Sequence, residues 1–122
     1  MRSFGDLESV IMDRLWSWRR PATVRDLERD LRTERDIAYT TVMTVMDNLH
    51  RKGWLTRRQQ GRAYLYEVTY TREQYAAHLM HEALTLSQDH NTAFTHFLGR
   101  MSQEESDALR RALGDYERDH DA

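Results

Sequence analysis

Apolar residues recur at helical spacing along most of the chain and alternate in one short stretch. Between Ala38 and Gly53, Val42, Val45, Met46 and Leu49 fall at i, i+3, i+4 and i+7 and line one helix face. The opposite face carries Thr40, Thr44, Asp47, Asn48 and Arg51, with Thr41 near its edge. Upstream, Leu7, Val10, Ile11, Leu15 and Trp18 form the stripe of a first helix, with Asp6 as its expected N-cap. Asp13 and Arg14 fall outside that stripe, and Pro21 ends the helix after Arg19 and Arg20. Thr23-x-x-Asp26 matches a capping pattern and opens a short second helix with Val24, Leu27 and Leu31 inward. A charged connection over residues 32–36 leads into the third helix. After Gly53, a natural residue just past a helix end, the period drops to two. Residues 54–59 and 63–68 then predict two strands joined through Gln60-Gly61, with Tyr64, Tyr66 and Val68 on one face.

The third helix is built from unusual residues for a packing element. Five of the six residues from Thr40 to Val45 are β-branched, which lowers helix propensity at each position. Short threonines suit close approach to another molecule: their hydroxyls bond base edges or phosphates, and their methyls touch the thymine methyl. The hairpin behind this helix carries Arg57, Arg58 and Arg62, which the reading puts at its tip with no acidic residue among them. Three helices, the last polar outside, followed by a basic hairpin, predict a winged helix-turn-helix unit aimed at duplex DNA.

The remainder is helical. Thr71-x-x-Gln74 opens a helix with Tyr75, Ala76, Leu79, Met80, Ala83 and Leu84, and the pattern restarts near Asp89 with Ala93, Phe94, Phe97, Leu98 and Met101. Ser102-x-x-Glu105 opens the last helix, with Leu109, Ala112, Leu113 and Tyr116 on one stripe. These helices expose more apolar surface than one small winged module covers, so a homodimer is expected, with folding back onto the same chain as the alternative. The dimerisation residues are expected to be Tyr75, Leu79, Met80, Leu84, Phe94, Phe97, Leu98, Leu109, Leu113 and Tyr116. The fold class is therefore mainly α with a small β-hairpin wing. Residues 1–70 are expected to form the DNA-binding domain and residues 71–122 the helical dimerisation domain.

Charge follows the same division. Residues 1–66 hold 13 Lys/Arg against 9 Asp/Glu, a net of +4, and residues 67–122 hold 5 against 11, a net of −6. No apolar run approaches a membrane span and no leader pattern opens the chain, which points to the cytoplasm without membrane insertion. With no cysteine there is no thiolate metal site, and no Gly-rich phosphate loop or G-x-S-x-G elbow appears, so no enzyme and no cofactor is expected. His78 and His81 beside Glu82 do not have the H-E-x-x-H spacing of zinc proteases. A metal- or ligand-responsive regulator tuned by His78, His81 and His90 stays as an alternative, as does a winged helix used only for protein contacts. His50 reads as a phosphate or packing neighbour, and Trp16, Trp18 and Trp54 as core or domain-contact residues.

The order of parts resembles one known family. Gly5-Asp6-Leu7-Glu8, Val10-Ile11-Met12-Asp13-x-Leu15-Trp16, Thr23-Val24-Arg25, Ala38-Tyr39-Thr40-Thr41-Val42-Met43-Thr44-Val45, Lys52-Gly53 and Gly61-Arg62-Ala63-Tyr64-x-Tyr66 are similar to the BlaI/MecI penicillinase repressors, and Arg110-Arg111-Ala112-Leu113 extends the likeness to the end. The resemblance implies repression by a homodimer on two-fold operators with TACA/TGTA-type half-sites. It implies base readers at Thr40, Thr41, Met43 and Thr44 and phosphate contacts from Arg57 and Arg62; Tyr39, Asn48, Arg51 and Lys52 are expected to join them at the DNA backbone. It also implies a membrane sensor peptidase, or a protease downstream of it, that cleaves the repressor at an Asn-Phe bond. The corresponding residues here are His96-Phe97, without the asparagine. The copper-responsive branch uses C-terminal cysteines, and this chain has none, which excludes thiolate copper sensing.

Overall fold

A computed structural model describes residues 4–121. The elements run α1 (Asp6–Trp18), α2 (Val24–Leu31), α3 (Tyr39–Arg51), β1 (Leu55–Gln60), β2 (Ala63–Val68), α4 (Arg72–Leu84), α5 (His90–Gly99) and α6 (Gln103–His120). The described residues are thus mainly helical with one hairpin, in the expected order. They separate into two compact units, one running to Met80 and one starting at His81.

The first unit is a three-helix core closed by the hairpin. Each helix contributes an apolar triplet: Ile11, Met12 and Leu15 from α1, Val24, Leu27 and Leu31 from α2, Val42, Met46 and Leu49 from α3. Ile37, Trp54, Leu55 and Tyr66 complete the cluster. Met12 lies outside the stripe read from sequence, yet it is fully buried. The cause is that α1 packs against both α3 and β2, so its buried arc is wider than one stripe. Asp6 is likewise not the N-cap. Gly5 holds that position, and the Glu8 carboxylate accepts its N–H at 3.0 Å, leaving Asp6 in the first turn where a negative charge is favourable.

The second helix begins where its capping pattern puts it. Thr23 N–H donates to the Asp26 carboxylate at 3.0 Å and Asp26 N–H to the Thr23 hydroxyl at 3.1 Å. The Thr23 N–H, with Arg20 nearby, holds the Asp26 carboxyl below its usual value. A depressed folded-state value means that this contribution is present above the unfolded carboxylate value of about 4 and is lost as pH falls through the lower folded one. Asp26→Asn is therefore expected to flatten that part of the acid limb of a stability–pH curve, and Thr23→Ala to cost about 1 kcal/mol in denaturant melts at neutral pH.

β1 and β2 pair antiparallel from Leu55↔Val68 to Gln60↔Ala63, so the loop is Gly61-Arg62 and not Gln60-Gly61. Gly61 carries a φ of +63°, at the position that a type II′ turn reserves for glycine. A one-residue third strand joins them: Ala22 N–H donates to Tyr66 C=O at 3.0 Å and Tyr66 N–H to Ala22 C=O at 2.8 Å. A single bridging residue has no periodicity, so sequence could not announce it. Gly53, at φ +88°, makes the turn from α3 into the hairpin.

The unit from His81 contains the end of α4, then α5 and α6. Asp89 caps α5 by accepting from Thr92 N–H at 3.2 Å, and Ser102 with Glu105 forms a reciprocal box on α6. Both starts match the sequence reading. Neither α5 nor α6 buries a single residue within the chain.

Candidate nucleic-acid interface

With Val42, Met46 and Leu49 committed to the core, α3 turns Thr40, Thr41, Met43 and Thr44 outward, and Met43 is 42% exposed. These four form one continuous patch on the first half of the helix. Tyr39 precedes them, with the Arg25 guanidinium 4.8 Å above its ring. Arg25 itself is aimed by Glu28 at 3.3 Å, the one charged residue buried among those described. Arg25 is not among the residues expected at DNA from the sequence. The available signal was its place in the first turn of α2, pointing away from the Val24-Leu27-Leu31 stripe.

The cations expected at phosphates prove unequal. Arg62 lies in the hairpin turn, exposed, with no ion pair or hydrogen bond among the described residues. Arg57 is not at the tip: it pairs across from Tyr66, well back along β1. Its guanidinium donates to Asp47 at 3.0 Å and lies 3.4 Å from the Tyr66 hydroxyl and 4.2 Å above the Tyr64 ring. Hydrogen bonding to Tyr66, and then to Asp47, raises its pKa above the usual value. Arg58 faces Glu67 at 3.8 Å. Arg51 reaches Asp47 at 3.2 Å and bonds Asn48, and Lys52 is paired with Glu8 of α1 at 2.9 Å. Of the described basic side chains, Arg25 thus stands against Tyr39 at the start of α3, and Arg62 stands exposed in the hairpin turn.

The penicillinase repressor family model matches residues 4–115. Two transcriptional regulators named BlaI, from Mycobacterium tuberculosis strains CDC 1551 / Oshkosh and ATCC 25618 / H37Rv, are each 42% identical over 119 residues, covering 95% of this chain and 86% of theirs. This chain belongs to the penicillinase repressor family. Membership makes it a transcriptional regulator and not an enzyme.

For a penicillinase repressor, the residues outside the threonine patch fall into two groups. Tyr75, expected among dimerisation residues, stacks on Phe4 at 4.1 Å, meets Trp54 edge-on at 5.0 Å, and its hydroxyl accepts the Phe4 N–H at 2.8 Å. Leu79 is half-buried beside Tyr75 in the same unit. Trp16 joins this aromatic cluster and donates its indole N–H to Tyr70 C=O at 2.9 Å, in keeping with a packing role. Met80, Phe94, Phe97, Leu98, Leu109, Leu113 and Tyr116 are exposed, and Leu84 is half-buried. His50 is half-buried, its Nδ1 enclosed without a hydrogen-bond partner among the described residues, which fits packing. Among the described residues no group of three or more His, Asp or Glu side chains is placed to hold a metal ion. Nor is any described helix long and apolar enough to cross a membrane.

Proposed function

We propose that this chain represses transcription as a homodimer that occupies palindromic operators with TACA/TGTA-type half-sites. Each α3 enters a major groove, and dimer geometry sets half-site spacing at a helical turn or a small multiple of it. The observation that carries this reading is the outward patch of Thr40, Thr41, Met43 and Thr44 on a helix whose other face is locked into the core. Thr40, Thr41, Met43 and Thr44 read bases, while Arg62, Arg25 and the Tyr39 hydroxyl hold phosphates, with Asn48, Arg51 and Lys52 near the backbone. Residues 1–70 act as the DNA-binding domain and residues 71–122 as the dimerisation domain, within the cytoplasm. Repression follows from occupying promoter DNA, with no chemistry on the nucleic acid. Release follows from a membrane sensor peptidase, its downstream protease or another signal; His96-Phe97 stands at the family's cleavage position without its asparagine. That bond lies within α5, so cleavage requires local unwinding.

Binding of the purified chain to palindromic and scrambled duplexes tests the reading. Thr44→Ala is expected to remove about 1–3 kcal/mol of preference between the two while leaving scrambled-DNA binding nearly intact. Arg62→Ala is expected to weaken both alike and to reduce the log–log salt slope by about one. Unchanged preference in the first variant would remove Thr44 from the readers, and saturable binding to neither duplex would sink the reading itself.

A further inference from the structure

Asp47 is the one acidic residue of α3, and it lies one turn beyond Thr44, on a helix read as approaching DNA phosphates. A bare carboxylate there repels the duplex, but both of its oxygens meet cations: Oδ1 accepts from Arg57 at 3.0 Å, and Oδ2 lies 3.2 Å from Arg51 Nε. The Arg57 guanidinium is in turn held by the Tyr66 hydroxyl and by the face of Tyr64. Tyr66 is 2% exposed, and its main chain is bonded in both directions to Ala22. A continuous set of contacts therefore runs from the reading helix, across the hairpin, to Ala22, just ahead of the Thr23 cap of α2.

We infer that Asp47 and Arg57 act together as a positioning clamp that fixes the angle of the hairpin against α3, and that Arg57 serves this clamp instead of a phosphate. The inference deepens the DNA-binding reading above and rests on it. A two-stranded hairpin is marginal by itself, so its tip points consistently only if its root is tied down. Arg57 sits in the root half of the hairpin, at its third pair, where a small change of angle moves the Arg62 turn by a larger distance. An exposed ion pair adds little stability alone. This one joins separate elements and shares its cation with two tyrosines, so its effect falls on geometry more than on melting.

The test uses the full chain with Asp47→Ala, Arg57→Gln and the double variant. Without DNA, amide hydrogen exchange across residues 55–68 is expected to quicken to the same degree in all three. On a palindromic TACA/TGTA duplex, each single variant is expected to lose about tenfold in affinity, and the double no more than either, as for two residues of one coupled unit. The salt slope of Arg57→Gln should stay at the wild-type value, whereas a lost phosphate contact lowers it by about one. Unchanged exchange, additive losses, a lowered slope in Arg57→Gln, or tighter duplex binding by Asp47→Ala would each overturn the clamp. Failure of the wild-type chain to bind the duplex would instead defeat the DNA reading, and the exchange data would still decide the clamp.

Discussion

Leu113→Glu is expected to convert the proposed homodimer to a monomer and to lower its affinity for the proposed palindromic operator by about 10²- to 10⁴-fold, the advantage that paired binding confers. Leu113 is 55% exposed at the centre of a stripe with Leu109 and Tyr116 on α6. Phe94, Phe97 and Leu98 on α5 and Leu86 between α4 and α5 add to the exposed apolar surface, Leu86 at 86%. A unit whose last two helices bury nothing of their own is stable only when something covers it, and a second copy carries the same uncovered face. A glutamate in that face would be buried without a partner, a cost large enough to defeat association. Sedimentation should report the monomer mass, and titration with a single half-site should match wild type. Arg111→Ala, about half a helical turn away from the stripe, should change neither. If Leu113→Glu remains dimeric and binds the palindrome as tightly as wild type, the α6 stripe is not the interface.

Tyr66→Ala is the second large effect, and it acts on stability. The ring is among the largest fully buried side chains, in the cluster formed by α1, α2 and α3, and the same residue holds both the Arg57 register and the Ala22 bridge. Removing a buried aromatic ring costs about 3–5 kcal/mol, a large part of the whole stability of a small domain. In thermal melts the transition of the first unit should fall by roughly 15 °C or more, at about 4–8 °C per kcal/mol for a domain of this size. Tyr66→Phe separates the ring from its hydroxyl. It keeps the packing, gives up only the bond to Arg57, and should cost no more than about 1.5 kcal/mol. Equal melting of Tyr66→Ala and wild type would mean that the hairpin is not anchored through this ring.

Where sequence and structure part, the reason is physical in each case. Periodicity located every helix: one-sided burial marks α1 to α3, and the apolar stripes of α5 and α6 repeat in the same way although they stand exposed. It placed Val42, Met46 and Leu49 inward and the threonines outward on α3, as found. It left Met12 out of the core because a single stripe assumes a single neighbour, and α1 has two. It put the turn one residue early, since Gln60 and Gly61 both suit a turn and only hydrogen-bond register distinguishes them. Tyr75 shares its helix face with Leu79, but its ring is claimed by Phe4 and Trp54 from far along the chain.

By itself, then, the amino-acid sequence determined the order of elements, the caps at Thr23, Thr71 and Ser102, the restart near Asp89, the threonine face of α3 and the likeness to the penicillinase repressors. Those are local matters: they depend on residues within a turn or two of one another, or on motifs that survive as strings. Only the tertiary structure decided which basic side chains are occupied. Lys52 meets Glu8, Arg57 meets Asp47 and Tyr66, and Arg62 has no ion pair or hydrogen bond among the described residues, although all three look alike as basic residues near a hairpin. A cation held by a carboxylate of its own chain must give up that contact before it takes a phosphate. Such pairings span separations from 10 to 44 residues, a range over which sequence carries no distance information.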